Sequence, residues 1–319
     1  MKKIITMGES LVDFVPNSLG KSLRESQCYT LQAGGAPANV ACAVARLGGE
    51  AHFITKLGKD PFGEFLYHEY KRIGVQMDNI YWTTKAHTGV AFVSLDEMGE
   101  RDFVFYRNPS ADMLLNAEEI DPDWFNHSIF HFGSIGLMES PMKYAHYKAV
   151  DCARKRGFLT SIDPNVRRNL WKNEEECRTA VKSLLTLCDI VKVSSEEVLF
   201  ITENENLEKG IKELFQGRNQ FVLCTKGANG ATLHTHHFEV THPGFPVNVV
   251  DSTGAGDAFM GAFLYRISQS DKALEDYGKE ELYDILAFSN AVGAICVSKR
   301  GAISSLPTLE EVQNFIASR

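Results

Sequence analysis

The stretch Asp251-Ser252-Thr253-Gly254-Ala255-Gly256-Asp257-Ala258-Phe259-Met260-Gly261-Ala262-Phe263 joins a glycine-rich turn to a carboxylate at the head of a helix. Before it, Pro246-Val247-Asn248-Val249-Val250 is expected to end a strand. After it, Ala258, Phe259, Ala262, Phe263 and Ile267 recur at helical spacing, which predicts a helix with Asp257 in its first turn. Gly254 and Gly256 let the backbone approach an anion closely, and the free N–H groups and dipole of that helix end favour developing negative charge. The run therefore reads as one strand-turn-helix step of an α/β fold carrying a phosphoryl-transfer site. Taken alone, an ordinary cap at Asp257 and an ordinary turn at the glycines account for the same residues. Neither a Walker lysine motif nor G-x-G-x-x-G occurs, which turns the reading away from P-loop enzymes and dinucleotide-binding dehydrogenases.

Working outward, strand-like and helix-like runs alternate from about residue 129 onward. Strands are predicted over 129–132, 158–162, 189–193, 221–224 and 239–241, and helices over 141–156, 174–187, 280–298 and 309–317. This alternation predicts an α/β fold with a doubly wound, mainly parallel sheet flanked by helices, its ligands gathered beyond the carboxyl ends of the strands. Residues 88–95 and 102–106, around a turn at Glu97-Met98-Gly99, read instead as an antiparallel hairpin. That hairpin either extends the edge of the main sheet or belongs to a small β unit of its own. With no repeat and no long linker, residues 1–319 read as a single domain.

A chain of 319 residues at 44% hydrophobic content can bury a full α/β core. Its formal net charge of −8 argues against nucleic acid or an anionic membrane as partner and favours a small ligand. The apolar residues after Met1-Lys2-Lys3 are too few for a signal segment and no run reaches transmembrane length, so a cytoplasmic protein is expected. Seven cysteines, at 28, 42, 152, 177, 188, 224 and 296, form no C-x-x-C pair and read as packing thiols of a reducing compartment. His234, His236 and His237 fall on a strand-turn-strand segment whose alternate side chains point apart, so no metal is expected there.

The run from Asp251 to Asp257 resembles the C-terminal signature of the ribokinase-like (PfkB) sugar kinases, D-T-x-G-A-G-D, with Ser252 keeping the hydroxyl where Thr is common. The resemblance implies that Asp257 is the catalytic base and that Gly254, Ala255 and Gly256 form the anion hole. Gly34-Gly35-Ala36-Pro37-Ala38-Asn39, leading into a small-residue helix ended by Gly48-Gly49, is similar to the N-terminal signature. There the resemblance places Gly34, Gly35 and Asn39 on sugar hydroxyls, whereas the residues by themselves describe tight helix packing. Asp13 matches a family aspartate that accepts two sugar hydroxyls. Its bland alternative is a loop carboxylate.

Further motifs of the same family follow in order along nearly the whole chain. Asp163-Pro164-Asn165-Val166-Arg167 resembles the fructokinase and 2-keto-3-deoxygluconate kinase branches, and together with Tyr106-Arg107-Asn108-Pro109-Ser110-Ala111 it is similar to bacterial fructokinases, which implies Arg107 and Arg167 at the substrate and Asn165 at the nucleotide. Lys192-Val193-Ser194-Ser195-Glu196-Glu197 stands in place of the N-x-x-E motif, with Ser194 in the Asn position. It implies nucleotide contacts from Lys192 and Ser194 and an action of Glu197 on Mg2+ through water. Thr225, Gly227 and Gly230 resemble the nucleotide loop, and Asn290 a residue beside the adenine. Asp251, Thr253 and Ser305, with the carbonyls of Cys296, Lys299 and Gly301, match the oxygen cage for a monovalent cation, K+. The family also implies a β lid formed by about residues 11–33 and 88–110, through which a homodimer can form.

These resemblances imply ATP-dependent phosphorylation of the 6-hydroxyl of D-fructose. A ribokinase lysine near Ala36 and keto-acid-kinase tyrosines near Ala91 and Phe105 are absent, which leans away from ribose and from 2-keto-3-deoxygluconate. The rivals are 2-keto-3-deoxygluconate kinase and aminoimidazole riboside kinase. A non-catalytic sugar- or nucleotide-sensing protein is the alternative of another class, and it would have lost the base or the anion hole.

Overall fold

The computed structural model describes residues 1–17, 23–95 and 101–319, so the turn expected at Glu97-Met98-Gly99 lies outside the described residues. In chain order the strands are β1 (Lys3–Met7), β2 (Leu11–Pro16), β3 (Tyr29–Gly34), β4 (Ala51–Gly58), β5 (Ile80–Thr83), β6 (Gly89–Leu95), β7 (Arg101–Tyr106), β8 (Ser128–Gly133), β9 (Leu159–Asp163), β10 (Ile190–Ser194), β11 (Phe221–Thr225), β12 (Ala231–His234) and β13 (Glu239–His242). The α-helices are α1 (Ala36–Arg46), α2 (Pro61–Ile73), α3 (Pro141–Lys155), α4 (Glu174–Leu185), α5 (Ser195–Thr202), α6 (Leu207–Leu214), α7 (Ala255–Ser268), α8 (Lys279–Val297) and α9 (Leu309–Ala317).

Nine strands form the main sheet in the order β13-β12-β11-β10-β9-β8-β1-β4-β5. Pairing is parallel from β11 through to β5 and antiparallel only at β11-β12-β13. Covered on both faces, such strands read as near-continuous apolar runs, as Ile4-Ile5 and Ile129-Phe130 do. Alternate residues feed opposite cores: Ile4, Phe53 and Ile129 pack with α1, α7 and α8, while Ile5, Phe130 and Val191 pack with α3, α4 and α5. From β1 the chain runs one way to β4 and β5, then returns to build β8 and the strands beyond it on the other side. The resulting switch point lies between β1 and β8, where ligands of such sheets collect.

The hairpin of β6 and β7 does not extend that sheet. It joins β2 and β3 in a separate four-stranded sheet of order β3-β2-β6-β7, in which β2 pairs with β3 antiparallel and with β6 parallel. Register puts Phe14, Leu31, Phe92 and Val104 on one face and Asp13, Gln32, Ala91 and Phe105 on the other.

One expected strand does not form. Residues 246–250 run as an irregular segment after β13, which ends at His242. Pro243 and Pro246 lack the N–H a ladder needs, and Val249 and Val250 are exposed rather than buried. The segment is tied down instead by Val250 N–H and Asp251 N–H, which both donate to the carbonyl of Val297, at 2.7 and 3.2 Å.

Candidate active site

The catalytic geometry begins with how closely α1 and α7 approach. Ala38, Ala41, Cys42 and Ala43 make a small-residue face on α1, and a Cβ added at Gly261 of α7 would stand only 2.6 Å from Ala43 Cβ and 3.0 Å from the carbonyl of Val40. This contact brings the first turns of the two helices together. Asn39 Nδ2 donates to Asp257 Oδ2 at 2.8 Å across 218 residues of sequence, and Asn165 Nδ2 donates to Oδ1 at 3.4 Å. Gly34–Asn39 thus leads into the close helix packing its small residues predict, and that packing sets Asn39 against Asp257.

Asp257 is buried, and burial with the nearby Asp163 carboxylate pushes its pKa up to about 6, against the Asn39 hydrogen bond, Lys192 and Arg167, which favour the anion. A carboxylate that titrates there can accept a proton near neutral pH. Behind it, Lys192 Nζ donates to Asp163 Oδ2 at 2.7 Å, both groups being buried. Burial works against the Lys192 ammonium, but Asp163, Glu197 and Asp257 together raise its pKa above the ordinary value. Its charge points at the first turn of α7: a Cβ added at Gly256 would lie 2.9 Å from Lys192 Nζ. Gly254 caps that helix at φ 75°, with Ala302 so close that an added Cβ would stand 2.7 Å from its Cβ. A cation and the N–H groups of a helix start therefore converge beside a buried carboxylate, which suits a transferring phosphoryl group.

These groups line one cleft of about 1090 Å³ at the switch point. Asp13, Gly35, Asn39, Asn165, Arg167, Lys192, Asp251, Thr253, Gly254, Gly256 and Asp257 all face it. Gly34 stands behind Asp13, where an added Cβ would meet Asp13 Oδ2 at 2.4 Å, so its contribution is the close fit of β3 against that carboxylate. Ala255 opens α7 without lining the cleft. Arg107 is buried beside the cleft and its Nη2 donates to Asp112, which also accepts from Ser110.

Glu197 stands behind the cleft wall. Its Oε2 accepts from Ser194 N–H at 2.8 Å and its Oε1 from Val166 N–H at 2.7 Å, while the Ser194 hydroxyl accepts from Glu197 N–H at 3.1 Å. This capping box ties α5 to the loop after β9, and it is Glu196 that faces the cleft. Burial and Asp163 raise the pKa of Glu197.

Thr225, Gly227 and Gly230 sit on the loop from β11 to β12, where a Cβ at Gly230 would stand 2.1 Å from the carbonyl of His242. Asn290 on α8 bonds across to His242 Nδ1 at 3.2 Å. Among the expected cation ligands, Asp251 accepts from Thr253 N–H at 3.0 Å and from Gly301 N–H at 2.8 Å, which locks the turn before α7 onto the turn after α8. Cys296 Sγ and Ser305 Oγ lie 2.8 Å apart in the same corner. Thr253 Oγ1 is buried there without a partner among the described residues, and Lys299 Nζ turns away to Glu311 Oε1 at 3.1 Å. Of the three histidines near β12, His234 Nδ1 meets Glu239 Oε2 at 3.1 Å and His236 Nε2 meets the Asn219 carbonyl at 2.8 Å.

The pfkB family carbohydrate kinase profile matches residues 1–309. This chain belongs to the PfkB family. Probable fructokinase-5 of Arabidopsis thaliana is 43% identical over 318 residues, covering 99% of this chain and 98% of that protein. The crystal structure of a fructokinase with bound ATP from Xylella fastidiosa superposes with a TM-score of 0.88 at 36% identity, covering 100% of this chain and 99% of that one. A double-mutant fructokinase from Vibrio cholerae O395, solved with fructose, ADP and a potassium ion, reaches 0.90 at 32% identity and covers 99% of this chain and 98% of its own. As a PfkB carbohydrate kinase the chain is a phosphotransferase acting on a sugar hydroxyl. The cleft also holds polar residues to which the sequence reading gave no role, among them Glu9, buried just after β1, Glu196 beside Glu197, and Arg168 and Asn169.

Proposed function

We propose that this protein is an ATP-dependent fructokinase that transfers the γ-phosphoryl group of ATP to the 6-hydroxyl of the furanose form of D-fructose. The observation that carries the chemistry is Asp257, buried and held by Asn39, at the head of a helix whose first turns face Lys192. Asp257 takes the proton from the 6-hydroxyl as that oxygen bonds to the γ-phosphorus, and the bond from phosphorus to the β–γ bridging oxygen breaks, releasing ADP. The N–H groups from Gly254 to Asp257 and the Lys192 ammonium hold the charge of the group in transit. Asp13, Gly35, Asn39 and Arg167 bind the sugar, with Arg107 fixed beside them, and Asn165, Ser194, Thr225, Gly227, Gly230 and Asn290 serve the nucleotide. Mg2+, when bound, neutralises the phosphates. The ion would be held by ATP oxygens and water, and Glu196, which faces the cleft, and Glu197 behind it would bond that water.

The identity of the acceptor rests on fructokinase relatives over the full chain and on the Tyr106–Ala111 and Asp163–Arg167 stretches. A coupled assay of the purified protein against fructose, ribose, 2-keto-3-deoxygluconate and aminoimidazole riboside tests it. Fructose is expected to exceed each rival in kcat/KM by at least about tenfold, roughly 1.4 kcal/mol in transition-state binding. A better rival would leave the kinase chemistry standing and remove the fructose assignment.

Three finer readings accompany this one. The unpartnered Thr253 hydroxyl, the Asp251 carboxylate and the Ser305 hydroxyl form an oxygen-rich corner fit for K+, which would stiffen the anion-hole loop. Equal rates in potassium and in a large inert cation would exclude it. The small sheet acts as a lid, and its apolar face, where Leu31, Val104 and Tyr106 are exposed, pairs with a second copy of the chain. A cytoplasmic setting suits the six buried free thiols, and among the described residues no helix is long and apolar enough to cross a membrane. Fractionation that places the protein outside the cytoplasm would overturn that setting.

A further inference from the structure

Glu9 lies where the chain passes from the main sheet to the small one, between β1 and β2. The crossing is tight. A Cβ added at Gly8 would stand 2.6 Å from Pro37 Cγ, and one added at Gly35 would stand 2.4 Å from the Glu9 carbonyl. The side chain is held beneath the head of α1, yet it faces the same cleft as Asp13, Asn39 and Asp257. Its Oε1 accepts from Ala36 N–H at 3.0 Å. Its Oε2 is buried without a partner among the described residues.

Capping α1 uses one oxygen and explains only that one. A buried carboxylate oxygen left without a donor is costly, and sites of this kind are completed by a ligand or a water. The charged and titratable groups around it are Arg107 at the end of β7, Asp112 just beyond, Asp13 on β2 and Tyr70 on α2. Burial pushes the Glu9 carboxyl up to about 7, while Arg107 and the N–H groups it meets favour the anion.

We propose that Glu9 Oε2 accepts a hydrogen bond from a hydroxyl of the acceptor sugar, making Glu9 a further specificity-determining residue of this site. The inference rests on the sugar-kinase reading of the cleft. Because the anion is the form that accepts, binding favours ionised Glu9. Affinity is full above the free-protein pKa and weakens as pH falls through about 7.

The test is calorimetric titration of wild type and Glu9→Gln with the best acceptor from the sugar panel, without nucleotide, between about pH 8 and about pH 6. Wild-type affinity is expected to fall by about fivefold or more over that interval. The variant keeps Oε1 for Ala36 but offers an NH2 group where Oε2 stood. It is expected to bind about tenfold more weakly at the upper pH, as for loss of a charged hydrogen bond, with no slope. A flat wild-type profile, or a variant with wild-type affinity and slope, would overturn the proposal. Should the variant not fold, wild type titrated near pH 7 in two buffers of different ionisation enthalpy decides: release of about half a proton supports it and no release overturns it. Using the panel's best acceptor keeps a wrong sugar assignment separate from a wrong role for Glu9.

Discussion

The α1–α7 junction and the small β sheet both face the cleft, but they are built on opposite plans. At the junction, two helices approach over alanine and glycine until Asn39 and Asp257 bond, and nearly every side chain of α7 is buried. The small sheet has only four strands. It turns Asp13 and Phe105 to the cleft and leaves Tyr106 63% exposed on the face behind. The first arrangement fixes Asn39 and Asp257 through core packing, which yields little; the second is a thin element whose outer face is open to another surface. On the function proposed above, the chemistry is assigned to the junction, and enclosure and acceptor choice to the sheet.

The comparison can be broken most directly at the base. Asp257→Asn keeps the shape and the Asn39 contact but cannot take a proton, so turnover is expected to fall roughly 10² to 10⁴-fold with sugar affinity nearly intact, as read by steady-state kinetics and a binding titration. Turnover within threefold of wild type would remove Asp257 from its role. Next in size is Gly261→Leu, whose Cβ alone would stand 2.6 Å from Ala43 Cβ, so that it must push α1 from α7. It is expected to cost about 1–3 kcal/mol in a denaturant melt and to lower turnover by up to about 10²-fold, because the base loses its alignment. Unchanged turnover in a folded variant would mean that the junction does not position the base. On the sheet, Tyr106→Asp places a charge on the exposed face. Sedimentation is expected to show a shift from dimer to monomer with KM for the sugar raised a few-fold and turnover little changed; a wild-type mass for the variant, or a monomeric wild type, would discard that interface.

Much of this was legible because function and periodicity coincide in the same residues. The apolar runs of β8 and β10 mark the parallel sheet, and the periodicity after Gly256 marks α7 with Asp257 in its first turn. The segment 246–250 misled because its alternating valines read as a strand, whereas Val249 and Val250 are exposed at the edge of the cleft and Pro243 and Pro246 cannot donate to a ladder. Glu9 and Glu196 were hidden for a different reason. A carboxylate's role depends on which lone pairs the backbone has already taken, and spacing does not reveal that Glu197 has a backbone donor on each oxygen while Glu9 has one on only one.

If the helix junction sets the base, the pH dependence of the rate shows it with the smallest structural change. Asp257 must be ionised to accept a proton, so at saturating sugar and ATP the rate is expected to fall as pH drops through about 6. The Asn39 hydrogen bond favours the ionised form, and its loss raises the pKa of Asp257. Asn39→Ala is therefore predicted to move the acid limb of the pH–rate profile to higher pH. A limb that stays in place or moves to lower pH would mean that the junction does not set the base.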